Sequence, residues 1–212
     1  MKTIPLNDFL RYVDSLEIPL YPPDDSFKDI PSAATNSFKN HWDARKKCNN
    51  KGMWPIVDRR WTKKLSNWIG NKKCLEIMAG GGWISKALNN HGIDIIATDN
   101  FSWEKTHKDM KLLCDVLKKD AAEAAAYYKD RDILVVSWPP FNQNDICDAC
   151  NAWGVDRPII YIGEGEGGCN APEGFWEHFK ELDNQPKIPL ARWAGINDRV
   201  IIGYWTWEKL HI

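Results

Sequence analysis

The chain has 212 residues, of which 43% are hydrophobic and 27% charged, and its formal net charge is −1. That composition belongs to a globular chain long enough to bury a core without staples, and it excludes collagen, coiled coil, disulfide scaffold and wholesale disorder. No apolar run approaches the roughly 18 residues of a membrane span, and no global field draws in nucleic acid or a membrane surface.

Residues 8–16 read as a short helix. Acids inside the apolar stretch at the N-terminus argue against a secretory signal. A cytoplasmic location with its six cysteines reduced is therefore expected. Pro19, Pro22, Pro23 and Pro31 make 19–37 an irregular arm, and 38–50 and 56–69 read as helices. Trp54, Trp61 and Trp68 recur every seven positions with Leu65 between them, which puts them on one helical stripe. The stripe either packs against the main domain or offers a substrate platform. From Lys39 to Lys64 there are nine Lys/Arg against Asp43 and Asp58, a local +7 that leaves −8 for the remainder. Such a segment, 39–64, either contacts the phosphates of a nucleic acid or is the solvated face of a helix. Residues 1–70 form a helical N-terminal extension on the substrate side, and 71–212 form the core.

In the core, strands and helices alternate. Residues 72–78 are a strand, 79–82 a tight turn, 83–91 a helix, and 93–99 the second strand. A helix over 103–113 and a short strand over 115–121 follow. Residues 121–128 are strongly helical by propensity. The apolar run 132–138 suits a central parallel strand covered on both faces, and Pro139-Pro140 ends it. A helix at 144–153, a strand at 157–163 and a helix from Asn170 to Leu182 complete the alternation. PLARW (189–193) and RVIIGYW (199–205) form a closing antiparallel hairpin. The fold class is α/β: a Rossmann-like, doubly wound, mostly parallel seven-stranded sheet.

Ligands in such a sheet bind at the carboxyl ends of the strands. After the first strand comes Glu76-Ile-Met-Ala-Gly80-Gly81-Gly82, a turn that lets a ligand approach the backbone. After the second comes Asp99, 19 residues beyond Gly80, where an acid suits two ribose hydroxyls. After the third comes Asp120-Ala121, which suits an adenine edge, and after the fourth Ser137-Trp138-Pro139-Pro140-Phe141. The pattern indicates a nucleoside-type ligand. For NAD, Ser85 replaces the third fingerprint glycine, and a carboxylate at Glu76 disfavours a pyrophosphate while tolerating an ammonium and a sulfonium. Gly163-Glu-Gly-Glu-Gly-Gly168 formally matches a dinucleotide loop, but Glu164 and Glu166 would repel phosphates. It reads as a rim loop in which Glu164 binds a cationic substrate or acts as a base, or as a loop of solvated acids. Cys147-Asp-Ala-Cys150 is a lone pair, so no metal site is expected.

LEIMAGGGW with Asp99, Asp120-Ala121 and SWPPF, in that order, resembles the class I S-adenosylmethionine-dependent methyltransferases over roughly residues 70–205. The resemblance implies that Glu76, Met78, Ala79, Gly80 and Gly82 line the methionine part of S-adenosylmethionine. It implies that Asp99 holds the ribose, Asn100 flanks the adenine, and Asp120 and Ala121 meet its edge. Met78 stands where the family usually has a glycine. SWPPF is similar to the Pro-Pro-aromatic motif of amino-methyltransferases, which implies acceptor binding by Ser137, Trp138, Pro139, Pro140 and Phe141, with Phe141 stacking on a planar target. Trp138 occupies the polar position of that motif. The expected activity is methyl transfer to an unidentified acceptor. A nucleic-acid base N-methyltransferase is the alternative, and a non-catalytic binding module with a degenerate pocket is the alternative of another class.

Overall fold

The computed structural model describes residues 2–24, 36–107 and 110–208. Ile133, Leu134, Val135 and Val136 are all fully buried in β4 (Ile133–Ser137). Consecutive side chains of a strand point to opposite faces, so such a run requires cover on both. Its even and odd residues do join different clusters. Ile133 and Val135, with Cys74, Ile160, Ile162 and Ile202, pack beneath α1 (Leu6–Asp14), α2 (Asn36–Asn50), α3 (Arg59–Ile69) and α4 (Trp83–Asn89). Leu134 and Val136, with Leu75, Ile77, Ile159 and Tyr161, pack against α5 (Ala121–Tyr127), α6 (Asp145–Trp153) and α7 (Glu173–Trp176).

The sheet has seven strands. With β1 (Cys74–Ile77), β2 (Ile95–Asp99), β3 (Val116–Lys118), β5 (Pro158–Gly163), β6 (Phe179–Glu181) and β7 (Arg199–Trp205), the order is β3-β2-β1-β4-β5-β7-β6. The pairs from β3 through β5 are parallel, and β7 runs antiparallel to both β5 and β6. Strand order reverses between β1 and β4, which opens a crevice at their carboxyl ends. Phe9, Val13, Ile18, Ala44, Met53 and Trp61 from the first 70 residues share one cluster with the sheet residues Ile133 and Ile160. The sheet begins at Cys74, and the apolar packing is continuous between it and the residues before it. Among the described residues, no helix is long and apolar enough to cross a membrane.

Four elements differ from the sequence expectations. The helix expected from Asn170 to Leu182 stops at Trp176, and 179–181 enter the sheet as β6. Phe175, Trp176 and Phe179 have helical spacing, but all three pack around Tyr161. Pairing with β7 requires a close approach: a Cβ at Gly203 would lie 2.3 Å from the Lys180 carbonyl oxygen. The hairpin partner of β7 is therefore β6, and PLARW is irregular. Pro189 offers no N–H, and Leu190, Ala191 and Trp193 are apolar because this covering segment is buried in the core cluster. Of the helix expected over 103–113, the described residues show one 3-10 turn, Ser102–Lys105, and an irregular 110–113 that docks by a Leu113 N–H bond to the Gly81 carbonyl, 2.9 Å, while 108 and 109 lie outside the described residues. Trp54 lies outside α3, because buried Asp58 caps that helix by accepting from the N–H groups of Arg60 and Trp61. Trp61, Leu65 and Trp68 do pack along α3 into one cluster, so the stripe holds for them and Trp54 stands apart from it. Of the expected arm at 19–37, residues 25–35 lie outside the described residues.

Candidate functional site

A cavity opens where β1, β2 and β4 end. It is lined by Glu76, Met78, Ala79 and Gly80 from the first turn, Asp99 and Asn100 from the second, Ala121 at the start of α5, and Ser137, Trp138 and Pro140 after β4. Ten of the residues singled out in the sequence thus meet at one place.

The first turn is held from both sides. Gly80 and Gly82 are left-handed, with φ of 53° and 78°, a conformation glycine adopts without strain. Met78 is left-handed too, at φ 54°. A side chain in that region costs about 1–2 kcal/mol, and the surrounding bonds hold it there. Ala79 N–H donates to the Thr98 carbonyl at 3.0 Å, and Gly82 N–H to that of Ala79 at 2.8 Å. The departure from glycine at this position therefore leaves the turn intact and puts a thioether on the cavity wall. Gly82 itself is not in the lining; it starts α4, and a Cβ there would lie 2.7 Å from the Cys114 sulfur.

Glu76 is 1% exposed. Its Oε2 accepts from the N–H of Ser85 at 2.9 Å and from the Ser85 hydroxyl. Burial pushes its carboxyl up to about 7, against the pull of those two bonds. Asp99 is 5% exposed and gathers three donors. Oδ2 accepts from Gly80 N–H at 2.7 Å, and Oδ1 from Phe101 N–H at 2.6 Å and the Trp103 indole at 2.9 Å. A carboxylate has about four acceptor sites, so Oδ2 keeps room for a ligand hydroxyl. Asp120 is exposed and caps α5 through Ala122 N–H at 3.0 Å, outside the cavity lining.

The segment after β4 divides. Ser137 Oγ is buried with no partner, beside the cavity. Trp138 is left-handed at φ 52°, and its indole N–H is turned onto Asp198 Oδ1 at 2.9 Å. Its donor is therefore spent within the protein. Asp198 is 3% exposed, and burial pushes its carboxyl up to about 7. Pro139 is buried and gives its carbonyl to Ala171 N–H. Phe141 is 57% exposed and outside the lining, so the geometry does not present it as a stacking face in the cavity. Glu164 is buried but also outside the lining. Its oxygens accept from Cys169 N–H at 3.0 Å and Asn197 N–H at 2.9 Å, which ties the glycine-rich loop to the approach to β7.

The structure adds residues from outside the motifs read in the sequence. Trp54 lines the cavity, stacked on Trp138 with centroids 5.9 Å apart and planes at 19°. Trp83, Trp103, His107, Met110, Gln143 and Asp145 also line it. The loop carrying Trp54 is anchored to the first turn, since the Trp83 indole donates to the Lys51 carbonyl at 2.7 Å. In the basic segment, Arg45 lies 5.0 Å over the Trp138 ring, Arg59 donates to the Ile18 carbonyl and Arg60 pairs with Asp58, while Lys39, Lys46, Lys47, Lys63 and Lys64 are exposed. Among the described residues, no group of three or more His, Cys, Asp or Glu side chains is arranged to hold a metal ion.

No family model matches the chain, and no curated protein is significantly similar to it. Solved structures are similar in fold. A point mutant of MtNAS in complex with S-adenosylmethionine aligns over 94% of this chain and 72% of its own, with 11% identity and a TM-score of 0.50. A TehB-like S-adenosylmethionine-dependent methyltransferase from Corynebacterium glutamicum aligns over 79% and 99%, with 16% identity and a TM-score of 0.46. TehB from Haemophilus influenzae aligns over 78% and 67%, with 12% identity and a TM-score of 0.46. The seven-stranded sheet with its reversed β7 is Rossmann-like, a fold shared with the MtNAS structure.

Proposed function

We propose that this chain is an S-adenosylmethionine-dependent methyltransferase. The observation that carries the reading is the convergence of Glu76, the left-handed turn at Gly80 and Asp99 on one cavity at the strand-order reversal. The residues present suit the cofactor. A Cβ at Gly80 would have no heavy atom nearer than Met110 Sδ at 4.0 Å, so the turn leaves open space on the ligand side. Glu76, Asp99 and Asp145 give the cavity carboxylates, which suit an ammonium and a sulfonium and not a pyrophosphate. When bound, S-adenosylmethionine supplies a methyl already activated on sulfur. Glu76, Met78, Ala79 and Gly80 would hold its methionine part, Asp99 and Asn100 its ribose and adenine, and Ala121 the adenine edge, with Asp120 and Gly82 supporting α5 and α4. Ser137, Trp138 and Pro140 would then border the acceptor. Positioning and exclusion of water supply most of the catalysis in such a transfer.

The test is incubation of the purified chain with methyl-labelled cofactor and separated small-molecule, RNA and protein fractions. Label in one fraction together with S-adenosylhomocysteine supports the reading, and neither product overturns it. The exposed lysines of 39–64 support nucleic acid as the second acceptor class. That reading requires RNA or DNA affinity that falls steeply between 50 and 200 mM salt, by roughly a thousandfold for six phosphate contacts.

A further inference from the structure

We propose that His107 is the general base of this site, taking the proton from an acceptor whose nucleophilic oxygen or nitrogen still carries one; the inference rests on the methyltransferase reading. His107 lines the cavity on the loop that leaves β2. Its backbone is fixed on both sides: its N–H donates to the Trp103 carbonyl at 2.9 Å, and its carbonyl accepts from Met110 N–H at 3.0 Å. Its ring stands edge-on to Trp54, centroids 5.7 Å apart and planes at 88°. Trp54 stacks on Trp138, and Trp138 is pinned by Asp198. A line of rings therefore runs from the end of β4 through Trp54 to His107, and the imidazole shares the cavity with the segment that borders the acceptor.

The titratable side chains in the cavity lining are Glu76, Asp99, Asp145 and His107. Glu76 is tied to Ser85, and Asp99 to Gly80, Phe101 and Trp103. Both are engaged at the turn assigned to the cofactor and not at the segment that borders the acceptor. Among the described residues the His107 ring has no such tie: its Nδ1 is enclosed and without a partner there, the residue is half-buried at the cavity, and Nε2 is the nitrogen left to meet an acceptor. A neutral imidazole there accepts a proton without breaking a bond. In the step, the acceptor's pair from its bond to hydrogen forms the new bond to the methyl carbon. The sulfur–methyl bond breaks with its pair left on sulfur, and the proton moves to Nε2. The positive charge thus passes from sulfonium to imidazolium, and water later takes the proton.

The experiment uses His107→Gln, His107→Ala and Asp145→Asn in the full chain, with the acceptor fraction on which the wild type turns over. Expected for both His107 variants are a cofactor Kd within about threefold of wild type and a fall in kcat/KM of roughly 10²–10⁴-fold. The acidic limb of the wild-type pH profile should disappear, and added imidazole should restore part of the rate in His107→Ala. A His107→Gln rate within tenfold of wild type with the same profile overturns the inference. So does an acidic limb lost in Asp145→Asn and kept in His107→Gln. A wild type that transfers to nothing overturns the methyltransferase reading itself, whereas turnover that the His107 variants leave unchanged overturns the inference alone.

Discussion

Replacing Glu76 by glutamine tests the electrostatics of the site without an acceptor. The Glu76 carboxyl is raised from 4.5 to about 7, burial being the largest cause and the charge of Asp99 adding to it. A group protonated more readily in the folded state contributes stability that is complete below its unfolded value and is lost as pH rises through the folded one. The window is thus about 4.5 to about 7, and the full loss is about 3 kcal/mol at 1.36 kcal/mol per unit. Glutamine does not titrate, and its oxygen can still accept from Ser85. Whatever its amide costs in packing is independent of pH. The stability of Glu76→Gln minus that of wild type should therefore rise by about 3 kcal/mol between about pH 4.5 and about pH 8.5. In a thermal melt this is roughly 6–12 °C for a chain of this size. Contributions from Asp58 and Asp198, pushed by burial to about 6 and about 7, are common to both proteins and cancel. A difference that stays flat across the window would mean that Glu76 titrates like an exposed carboxylate, and the account of a buried acid at the turn would fail.

Asp99→Asn should cut S-adenosylmethionine affinity by at least about tenfold in calorimetry with the fold retained, because an oxygen remains for some of its donors. Asp99→Ala strands Gly80 N–H, Phe101 N–H and the Trp103 indole and should cost about 3 kcal/mol or more of stability in urea unfolding. Gly203→Ala should destabilise by more than about 2 kcal/mol in the same assay, since its Cβ would strike the Lys180 carbonyl and part β6 from β7. Phe141→Ala should leave cofactor affinity unchanged and shift stability by less than about 0.5 kcal/mol, since the ring lies mostly in solvent. A loss of affinity there would return Phe141 to the site.

The parts of the fold legible in the sequence are those where local physics permits few residue types. A central strand covered on both faces must be apolar at every position, so 133–136 announced β4. A βα turn with backbone at φ 53° and 78° asks for glycine at 80 and 82, and an acid after β2 follows at a fixed distance. Long-range contacts were hidden. Nothing local to Trp54 signals that it stacks on Trp138, 84 positions later, and its coincidental spacing from Trp61 pointed to a stripe instead. PLARW looked like a strand because the apolar residues of a buried covering segment resemble those of one. Glu164 looked poised for catalysis because its sequence context could not reveal that Cys169 and Asn197 donate to it. His107 belongs to no motif, and only its place in the line of rings marks it.

Calorimetric titration of the wild-type chain with S-adenosylmethionine, S-adenosylhomocysteine and NAD addresses the central claim most directly. Micromolar binding of the first two, weakened at least about tenfold in Asp99→Asn, with no binding of NAD, is the predicted result. Binding of NAD instead, or binding of none of the three, would contradict it.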